Sequence, residues 1–324
     1  MKYFKRLLPL ALTVSIIFLL TLSGGGAPSF ARDYHRLVVM ADTHLPGSHY
    51  TENERVIAQI NTRRDVDLVT VLGDLCFERG TVEEYSAAKR FFSRLQKPLC
   101  PVVGNHDYIY DDLISHERKT KANAIIREEK LRRFRETFTP EGLYYEKRMG
   151  AYLLLFLSTD HLTTSRLAEI SDTQLAWFRK RLEANRDQPT IVFFHAPLKG
   201  TFGKDDRRAG DQNYYAQPEE KIEGLIADNP QLFLWVSGHL HLPATNASFK
   251  SPVNLYQGRV LNIHTSDMKR RNIWTNSLYL YEDRVVVRTY DHRRGQWVEN
   301  LDRTVPRPAL SRTFSTPGLL PDIK

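Results

Sequence analysis

Cysteine is scarce in this sequence, and Cys76 and Cys100 are the only two among 324 residues. Two thiols allow at most one disulfide. Each lies beside the end of a predicted strand, so one disulfide between neighbouring strands and two buried free thiols both stay open. Internal repeats and low-complexity tracts are also lacking. Because 41% of the residues are hydrophobic and 26% are charged, wholesale disorder is excluded and a globular protein is expected.

The sequence also lacks a long run of lysine and arginine, although its net charge is +8. Three of the positive charges and none of the negative ones lie in residues 1–31, so removing that segment leaves a net charge of about +5. This modest excess suits a small anionic substrate. It does not favour a nucleic-acid partner, because duplex binding needs several aligned phosphate contacts.

The N-terminus has the pattern of an export signal. Basic residues precede an apolar run over residues 7–22, and a glycine triplet leads to Ser29 and Ala31, which are spaced as a signal peptidase requires. We therefore predict that residues 1–31 are a cleaved signal peptide, that the mature protein is periplasmic or secreted, and that it keeps no membrane span. The alternative is an uncleaved anchor, but the run is shorter than the roughly 20 residues that cross a bilayer.

Short apolar runs rich in β-branched residues predict strands that are buried on both faces. They span residues 37–40, 68–72, 99–103, 152–157, 191–194 and 232–236. Between them, helical patterns begin at candidate capping boxes: Thr51 with Glu54, Thr81 with Glu84, and Ser171 with Gln174. Strands that alternate with helices predict a layered α/β fold.

After residue 236 the pattern changes to strands without intervening helices, predicted at 259–263, 277–281 and 284–290. This change predicts a second, more antiparallel sheet. We assign residues 32–301 to one domain and residues 302–324 to a C-terminal tail that contains proline. Residues 111–136 are highly charged and helix-permissive, and the polar loop 199–217 is a candidate lid.

Polar residues follow five of the predicted strands where each apolar run ends. They are Asp42 and His44; Asp74; Asn105, His106 and Asp107; His195; and His239 and His241. In an extended chain, residues i and i+2 point the same way, so Asp42 with His44, and His239 with His241, can each aim two ligand atoms into one space. Ligands bind at the carboxyl ends of strands in open α/β sheets, so these segments are predicted to converge on one crevice.

The predicted crevice combines carboxylate oxygens, imidazole nitrogens and one amide oxygen. Such a mixed ligand set suits iron, manganese, zinc or cobalt better than calcium or copper(I). Seven candidate ligands are too many for one tetrahedral ion but suit two divalent or trivalent ions that share a carboxylate, for which Asp74 is the natural bridge. His161 and His264 also follow apolar runs but belong to no motif, so we expect them to be structural or supporting residues.

In chain order the motifs are D-x-H, G-D, G-N-H-D, a lone strand-end histidine and G-H-x-H, over roughly residues 36–290. This series resembles the calcineurin-like metallophosphoesterases. The resemblance implies a four-layer α/β/β/α sandwich with two mixed β-sheets and a binuclear metal centre. It implies that one ion is held by Asp42, His44, Asp74 and His241, and the other by Asp74, Asn105, His195 and His239. His106 is then expected to contact the substrate.

Two departures from the family patterns narrow the expected subgroup. Purple acid phosphatases have tyrosine three residues after the G-D aspartate, where this chain has Phe77. Ser/Thr protein phosphatases continue into G-D-x-x-D-R-G, which is absent here, so Asp107 or Asp160 is expected to serve as the acidic partner of His106. The remaining resemblance is to the bacterial phosphodiesterase branch.

A pair of cations about 3.5–4 Å apart activates a bridging water and holds two phosphoryl oxygens, which predicts hydrolysis of a small phosphate ester. His106 would stabilise charge on the phosphoryl group or protonate the leaving group. Lys204, Arg207 and Arg208 are candidate substrate-binding residues, with a solvated loop as the alternative. A phosphodiesterase is expected, and a phosphomonoesterase or a non-catalytic metal-binding module are the alternatives. The sequence leaves the oligomeric state open.

Overall fold

The apolar runs of the sequence become the central strands of two sheets. The computed structural model describes residues 32–112, 119–139, 141–203 and 206–310. The strands are β1 (Tyr34–Met40), β2 (Leu68–Leu72), β3 (Leu99–Val102), β4 (Tyr145–Met149), β5 (Tyr152–Phe156), β6 (Thr190–Phe193), β7 (Leu232–Ser237), β8 (Leu255–Tyr256), β9 (Val260–His264), β10 (Trp274–Tyr281), β11 (Arg284–Asp291), β12 (Gln296–Trp297) and β13 (Arg303–Pro306). The helices are α1 (Tyr50–Asn61), α2 (Val82–Phe92), α3 (Asn105–Tyr108), α4 (Ala124–Phe138), α5 (Asp172–Glu183) and α6 (Glu219–Ala227).

The first sheet has the strand order β12-β11-β10-β1-β2-β3, and β13 pairs with β11. Strands β1, β2 and β3 are parallel, whereas β10 and β11 add antiparallel beyond β1. The second sheet has the order β4-β5-β6-β7-β9-β8, in which β5, β6, β7 and β9 are parallel and the edge strands β4 and β8 are antiparallel. Both sheets are therefore mixed, as predicted.

Two features near the C-terminus differ from the sequence predictions. The strands after residue 236 do not form a sheet of their own, because β9 joins the second sheet while β10 and β11 extend the first. A periodic apolar pattern identifies a strand but not its partner, and β10 takes the edge of β1 that β2 leaves open. The first sheet also extends beyond the predicted boundary at residue 301, since β13 pairs with β11.

The core consists of three apolar layers that separate four layers of secondary structure. Along β1, Leu37 and Val39 pack between the two sheets, whereas Val38 and Met40 face α1, α2 and α4. On the far side, residues of β5, β6 and β7 pack against α5 and α6, around the fully buried Trp235. Alternate side chains of each central strand thus enter different layers, which explains the continuous apolar runs. The predicted α/β/β/α sandwich is confirmed.

The predicted helix starts are right in two of three cases. Thr81 caps α2 in a complete capping box with Glu84, and the Ser171 hydroxyl accepts a hydrogen bond from the amide of Gln174 at the start of α5. The Gln174 side chain bonds the backbone of Ser158 instead of closing the box. Thr51 is not a cap, since α1 begins at Tyr50.

Cys76 and Cys100 are free and buried, in agreement with the second of the two alternatives. No helix among the described residues is both long enough and apolar enough to cross a membrane. The predicted signal peptide, residues 1–31, lies outside the part of the chain that the structure describes.

Candidate metal centre

The carboxyl ends of the parallel strands from both sheets meet at one edge of the sandwich. Asp42 and His44 follow β1, Asp74 follows β2 and Asn105 follows β3, while His195 and the histidines of G-H-x-H follow β6 and β7. Two bonds tie the sheets together there: the His239 amide donates to Asp42 Oδ2 at 2.9 Å, and His195 Nδ1 lies 2.7 Å from the Leu72 carbonyl oxygen. Segments nearly 200 residues apart therefore share one cavity wall.

The candidate ligand atoms form two groups that share one carboxylate. In each group the ligand atoms lie within 4.8 Å of one another; the groups are Asp42, His44, Asp74 and His241, and Asp74, His195 and His239. Asp74 directs one oxygen toward each group, with Oδ2 at 3.9 Å from His44 Nε2 and Oδ1 at 3.5 Å from His195 Nε2. Asn105 adds an amide oxygen 3.0 Å from His195 Nε2. The structure thus brings all seven predicted ligands together.

Hydrogen bonds leave lone pairs of the imidazoles directed into the cavity. His195 Nδ1 and His44 Nδ1 face the carbonyl oxygens of Leu72 and Phe77, at 2.7 and 3.0 Å, so each Nδ1 carries the hydrogen and each Nε2 is an acceptor. His195 Nε2 then faces the amide oxygen of Asn105, another acceptor. Two acceptors 3.0 Å apart repel each other unless a cation lies beside them, so in this orientation these residues fit a metal ion.

The remaining two histidines complete the two groups. His239 Nε2 lies 2.7 Å from the carbonyl oxygen of Asn213, which leaves Nδ1 as its ligand atom. His241 Nε2 lies 3.2 Å from Asp42 Oδ1 and 3.2 Å from His44 Nε2. One histidine of G-H-x-H therefore serves each group.

Burial and mutual repulsion set the charges in the cavity. Burial lowers the pKa of His44 and of His239 to about 3, so both imidazoles are neutral and able to bind a metal. Burial and the charge of Asp42 raise the pKa of Asp74 well above its usual value. Burial opposes ionisation of Asp42, but the charge and hydrogen bond of His241 hold its pKa well below its usual range. Bound cations would relieve the repulsion between the two carboxylates.

The backbone is unusual at the ligands. Among the described residues, six non-glycine residues have positive φ, and five of them are ligand candidates: Asp42 (51°), His44 (47°), Asp74 (53°), His239 (66°) and His241 (50°). Non-glycine residues adopt this left-handed conformation rarely, and it is typical of functional sites. The paired ligands thus converge through left-handed turns, and the extended geometry assumed from the sequence is wrong.

Glycines of the motifs allow the ligand loops to approach one another. A Cβ atom on Gly238 would lie 2.5 Å from Asp42 Oδ2, and one on Gly104 would lie 2.3 Å from Asp74 Oδ1. Real Cβ atoms do not come so close to such atoms, so any side chain at either position would displace a ligand carboxylate. The glycines are therefore required by the ligands beside them.

The sequence profile of the calcineurin-like phosphoesterases matches residues 35–243, which is more than half of the chain and includes all seven candidate ligands. The chain belongs to the calcineurin-like phosphoesterase family. No curated protein sequence matches the chain significantly. Family membership and the two ligand groups together identify a metallophosphoesterase with residues that can hold a pair of metal ions.

Solved structures with the same fold include two phosphatases and an anchor protein. A dimetal phosphatase from Danio rerio is 13% identical, with a TM-score of 0.57, over 85% of this chain and 99% of that one. A purple acid phosphatase from yellow lupin (Lupinus luteus) seeds is 14% identical, with a TM-score of 0.56, over 85% and 54%. GAP50 of Plasmodium, an anchor in the inner membrane complex, is 11% identical, with a TM-score of 0.52, over 85% and 90%. At these identities the likeness concerns the fold alone.

His106 lies beside the ligands of this phosphoesterase without belonging to either group. Its ring centroid is 4.9 Å from that of His44, and its Nδ1 lies 2.8 Å from the carbonyl oxygen of Glu78. Its backbone amide donates to Asp74 Oδ1 at 2.8 Å. Burial lowers the pKa of His106 well below its usual value. The ring is thus fixed at Nδ1, and substrate contact through Nε2 stays a prediction.

The prediction that Asp107 or Asp160 is the acidic partner of His106 is wrong. The Asp107 carboxylate accepts hydrogen bonds from the amides of Asp74, Cys76 and Gly104, at 3.0, 2.9 and 2.8 Å. Asp160 bonds the amide and hydroxyl of Ser171. The partner of the His106 ring is the Glu78 carbonyl, so Asp107 acts by holding together the loops that carry Asp74 and Asn105.

The candidate lid contributes to the centre in a different way from that predicted. Arg208 forms an ion pair with Asp206 and donates from Nη1 to the carbonyl oxygen of Leu240 at 2.5 Å, so it points at the ligand turn. Arg207 is exposed, and Lys204 lies outside the described residues. Substrate binding by Arg207 and Lys204 stays a prediction.

The structure also confirms one supporting histidine and reveals residues that the sequence did not indicate. His264 is buried and bonds the carbonyl oxygen of Thr201 through Nε2 at 2.9 Å, as a structural residue would. Arg270 donates to the carbonyl oxygen of His241, and Asn213 orients His239 through its backbone. A contact made to a backbone carbonyl leaves no sequence motif, so no pattern could have found these two residues.

Proposed function

We propose that this chain is an exported phosphodiesterase that uses two metal ions. The observation that carries the proposal is Asp74, whose two oxygens face two separate ligand groups. Such a shared carboxylate suits a pair of cations, which supply an activated water and hold phosphoryl oxygens. The metal identity is proposed only as iron, manganese, zinc or cobalt, from the mixed oxygen and nitrogen ligands.

The residues around the cations have separable roles in this proposal. Asp74 is held in place by the His106 amide, so its oxygens are directed before an ion binds. Because Nδ1 donates to the Glu78 carbonyl, His106 can donate to a phosphoryl or leaving-group oxygen of the ester only from a protonated Nε2, and the charge of the anionic ester favours that protonation. Asp107 keeps the G-D and G-N-H-D loops at a fixed separation through its three amide bonds.

A phosphodiester suits the rim of the cavity for two reasons. First, Arg208 and Arg270 are each paired with an aspartate and a backbone carbonyl, so the charge of both is partly neutralised before an ester binds, which suits the monoanion of a diester better than the dianion of a phosphomonoester. Second, a partly exposed aromatic residue adjoins each ligand group. Phe77 is 36% exposed and its backbone carbonyl bonds His44, and the Tyr214 ring is 5.8 Å from that of His239. Two apolar surfaces suit the two substituents of a diester.

The metal-loaded protein is expected to hydrolyse bis(p-nitrophenyl) phosphate with a higher kcat/KM than p-nitrophenyl phosphate. Both release the same chromophore, so the ratio reports the preference between diester and monoester. Removal of metal by a chelator is expected to abolish both rates, and added Mn²⁺, Zn²⁺, Fe²⁺ or Co²⁺ to restore them. A faster monoester rate would support the phosphomonoesterase alternative, and no metal-dependent rate on either ester would support a non-catalytic module.

Export is proposed from the basic and apolar pattern of residues 1–31. The mature protein is expected to begin close to residue 32 and to be released with the periplasmic or secreted fraction. N-terminal sequencing after expression in a Gram-negative host, together with cell fractionation, tests this. A full-length N-terminus in the membrane fraction would instead support an uncleaved anchor.

A further inference from the structure

The turn that carries both histidines of G-H-x-H combines two left-handed residues within three positions. His239 has φ 66° and His241 has φ 50°, with Leu240 between them. L-residues adopt this conformation only when surrounding contacts hold it. Each histidine serves a different ligand group, so the turn has to place one imidazole in each group.

The ion pair of Asp206 and Arg208 holds the carbonyl oxygen of Leu240, the middle residue of this turn. Arg208 binds Asp206 with two parallel bonds, Nε to Oδ1 at 2.8 Å and Nη2 to Oδ2 at 2.5 Å. Its remaining Nη1 donates to the carbonyl oxygen of Leu240 at 2.5 Å. A guanidinium held in this planar fork cannot rotate freely, so the plane and direction of its Nη1–H bonds are set as well. The pair therefore sets the position of Leu240.

The ion pair of Asp267 and Arg270 holds the carbonyl oxygen of the next residue, His241. Arg270 Nε binds Asp267 Oδ2 at 2.5 Å, and its Nη2 donates to the carbonyl oxygen of His241 at 2.6 Å. Asp267 is buried, and the amide of the following residue, Met268, bonds the backbone carbonyls of Ala41 and Asp42. This pair is thereby anchored to the loop that carries Asp42 and His44 of the first group.

We propose that Asp206–Arg208 and Asp267–Arg270 are positioning pairs that hold residues 239–241 in their left-handed turn and so align one histidine for each metal ion. The inference rests on the proposed two-metal function. Arg208 lies on the His239 side, since its guanidinium is 5.9 Å from the Tyr214 ring that packs beside His239. Arg270 bonds His241 itself. We therefore expect each pair to act mainly on one of the two ions.

Arg208→Ala is expected to lower the affinity for the ion of the His239 group by roughly 10- to 100-fold, which is the effect typical of removing a residue that supports a metal ligand. Arg270→Ala is expected to do the same to the ion of the His241 group. Zn²⁺ titration against a chelator measures the two affinities in the purified full-length chain. Arg207→Ala and Arg271→Ala are matched controls, since both neighbours are exposed arginines, and both are expected to retain wild-type Zn²⁺ affinity.

Double variants assign each effect to its ion. Arg208→Ala combined with His239→Ala is expected to lower Zn²⁺ affinity little beyond His239→Ala alone, whereas its combination with His241→Ala is expected to be additive. Arg270→Ala should show the opposite pattern. A purely structural role would weaken both ions together with the melting temperature, and would contradict the proposal.

Hydrogen exchange of the metal-free chain separates this inference from the proposed function. Amides 238–242 are expected to exchange faster in Arg208→Ala and Arg270→Ala than in the wild type and the two controls. Unchanged exchange and unchanged Zn²⁺ affinity would overturn the positioning role. A wild-type chain that binds fewer than two Zn²⁺ ions would instead contradict the proposed two-metal centre, whatever the variants show.

Discussion

Asp74→Asn is expected to leave the chain without either metal ion tightly bound and to lower its turnover of bis(p-nitrophenyl) phosphate by about 10³-fold or more. The carboxylate presents one oxygen to each ligand group, at 3.5 Å from His195 Nε2 and 3.9 Å from His44 Nε2. An amide offers only one oxygen and places a donor where the second cation would bind. Elemental analysis and the rate measured with added metal test both effects.

Asp160→Asn is the matched control, because Asp160 is also a buried carboxylate but bonds Ser171 instead of facing the ligands. This control is expected to keep two ions and near wild-type turnover, with any cost appearing in the melting temperature. Two tightly held ions in Asp74→Asn would contradict the bridging role of Asp74. Loss of a single ion would show that its two oxygens serve one site.

The fold could be predicted to the level of its layers because burial on both faces leaves a clear signal. The apolar runs that form β1, β2, β5, β6 and β7 have no polar face. One side of each strand packs against helices, and the other side packs against the opposite sheet. The pairing of β10 with β1 could not be predicted in this way. Its choice between sheets depends on which edge is open in three dimensions.

The sequence predicts the candidate ligands by an argument that is only partly right. A polar residue at the end of an apolar run marks the edge where parallel strands converge, and that step is sound for Asp42, Asp74 and His195. The assumed alternation of extended residues is not, because both members of each D-x-H and G-H-x-H pair have positive φ. Aspartate and histidine adopt this conformation more often than most residues do, but that preference is too weak to predict it at a given position.

The role of Asp107 could not be predicted from its motif. Its place in G-N-H-D suggested that it would act on His106, whereas its oxygens bond three backbone amides. Amide donors are present at every residue except proline, so the sequence alone cannot show which of them a carboxylate will bind. For the same reason the contacts of Arg208 and Arg270 with carbonyl oxygens became visible only in the structure.

His106→Ala is expected to lower turnover by roughly 10²- to 10⁴-fold while two metal ions remain bound. The ring belongs to neither ligand group, and the bond to Asp74 Oδ1 comes from the backbone amide, which alanine keeps. Metal binding and catalysis should therefore separate in this variant. His161→Ala is the control, since His161 accepts a bond from the Thr163 amide, and its turnover should not change.

The loss of turnover in His106→Ala, compared between esters with two different leaving groups, assigns the role of His106. If its imidazole protonates the departing oxygen, the loss is smaller for a p-nitrophenyl diester, whose leaving group needs no proton, than for an alkyl diester. If it stabilises charge on the phosphoryl group, the loss is equal for both esters. An unchanged rate with both esters would show that His106 takes no part in the mechanism. Loss of a metal ion would show that His106 helps to hold the metal centre instead of lying beside it.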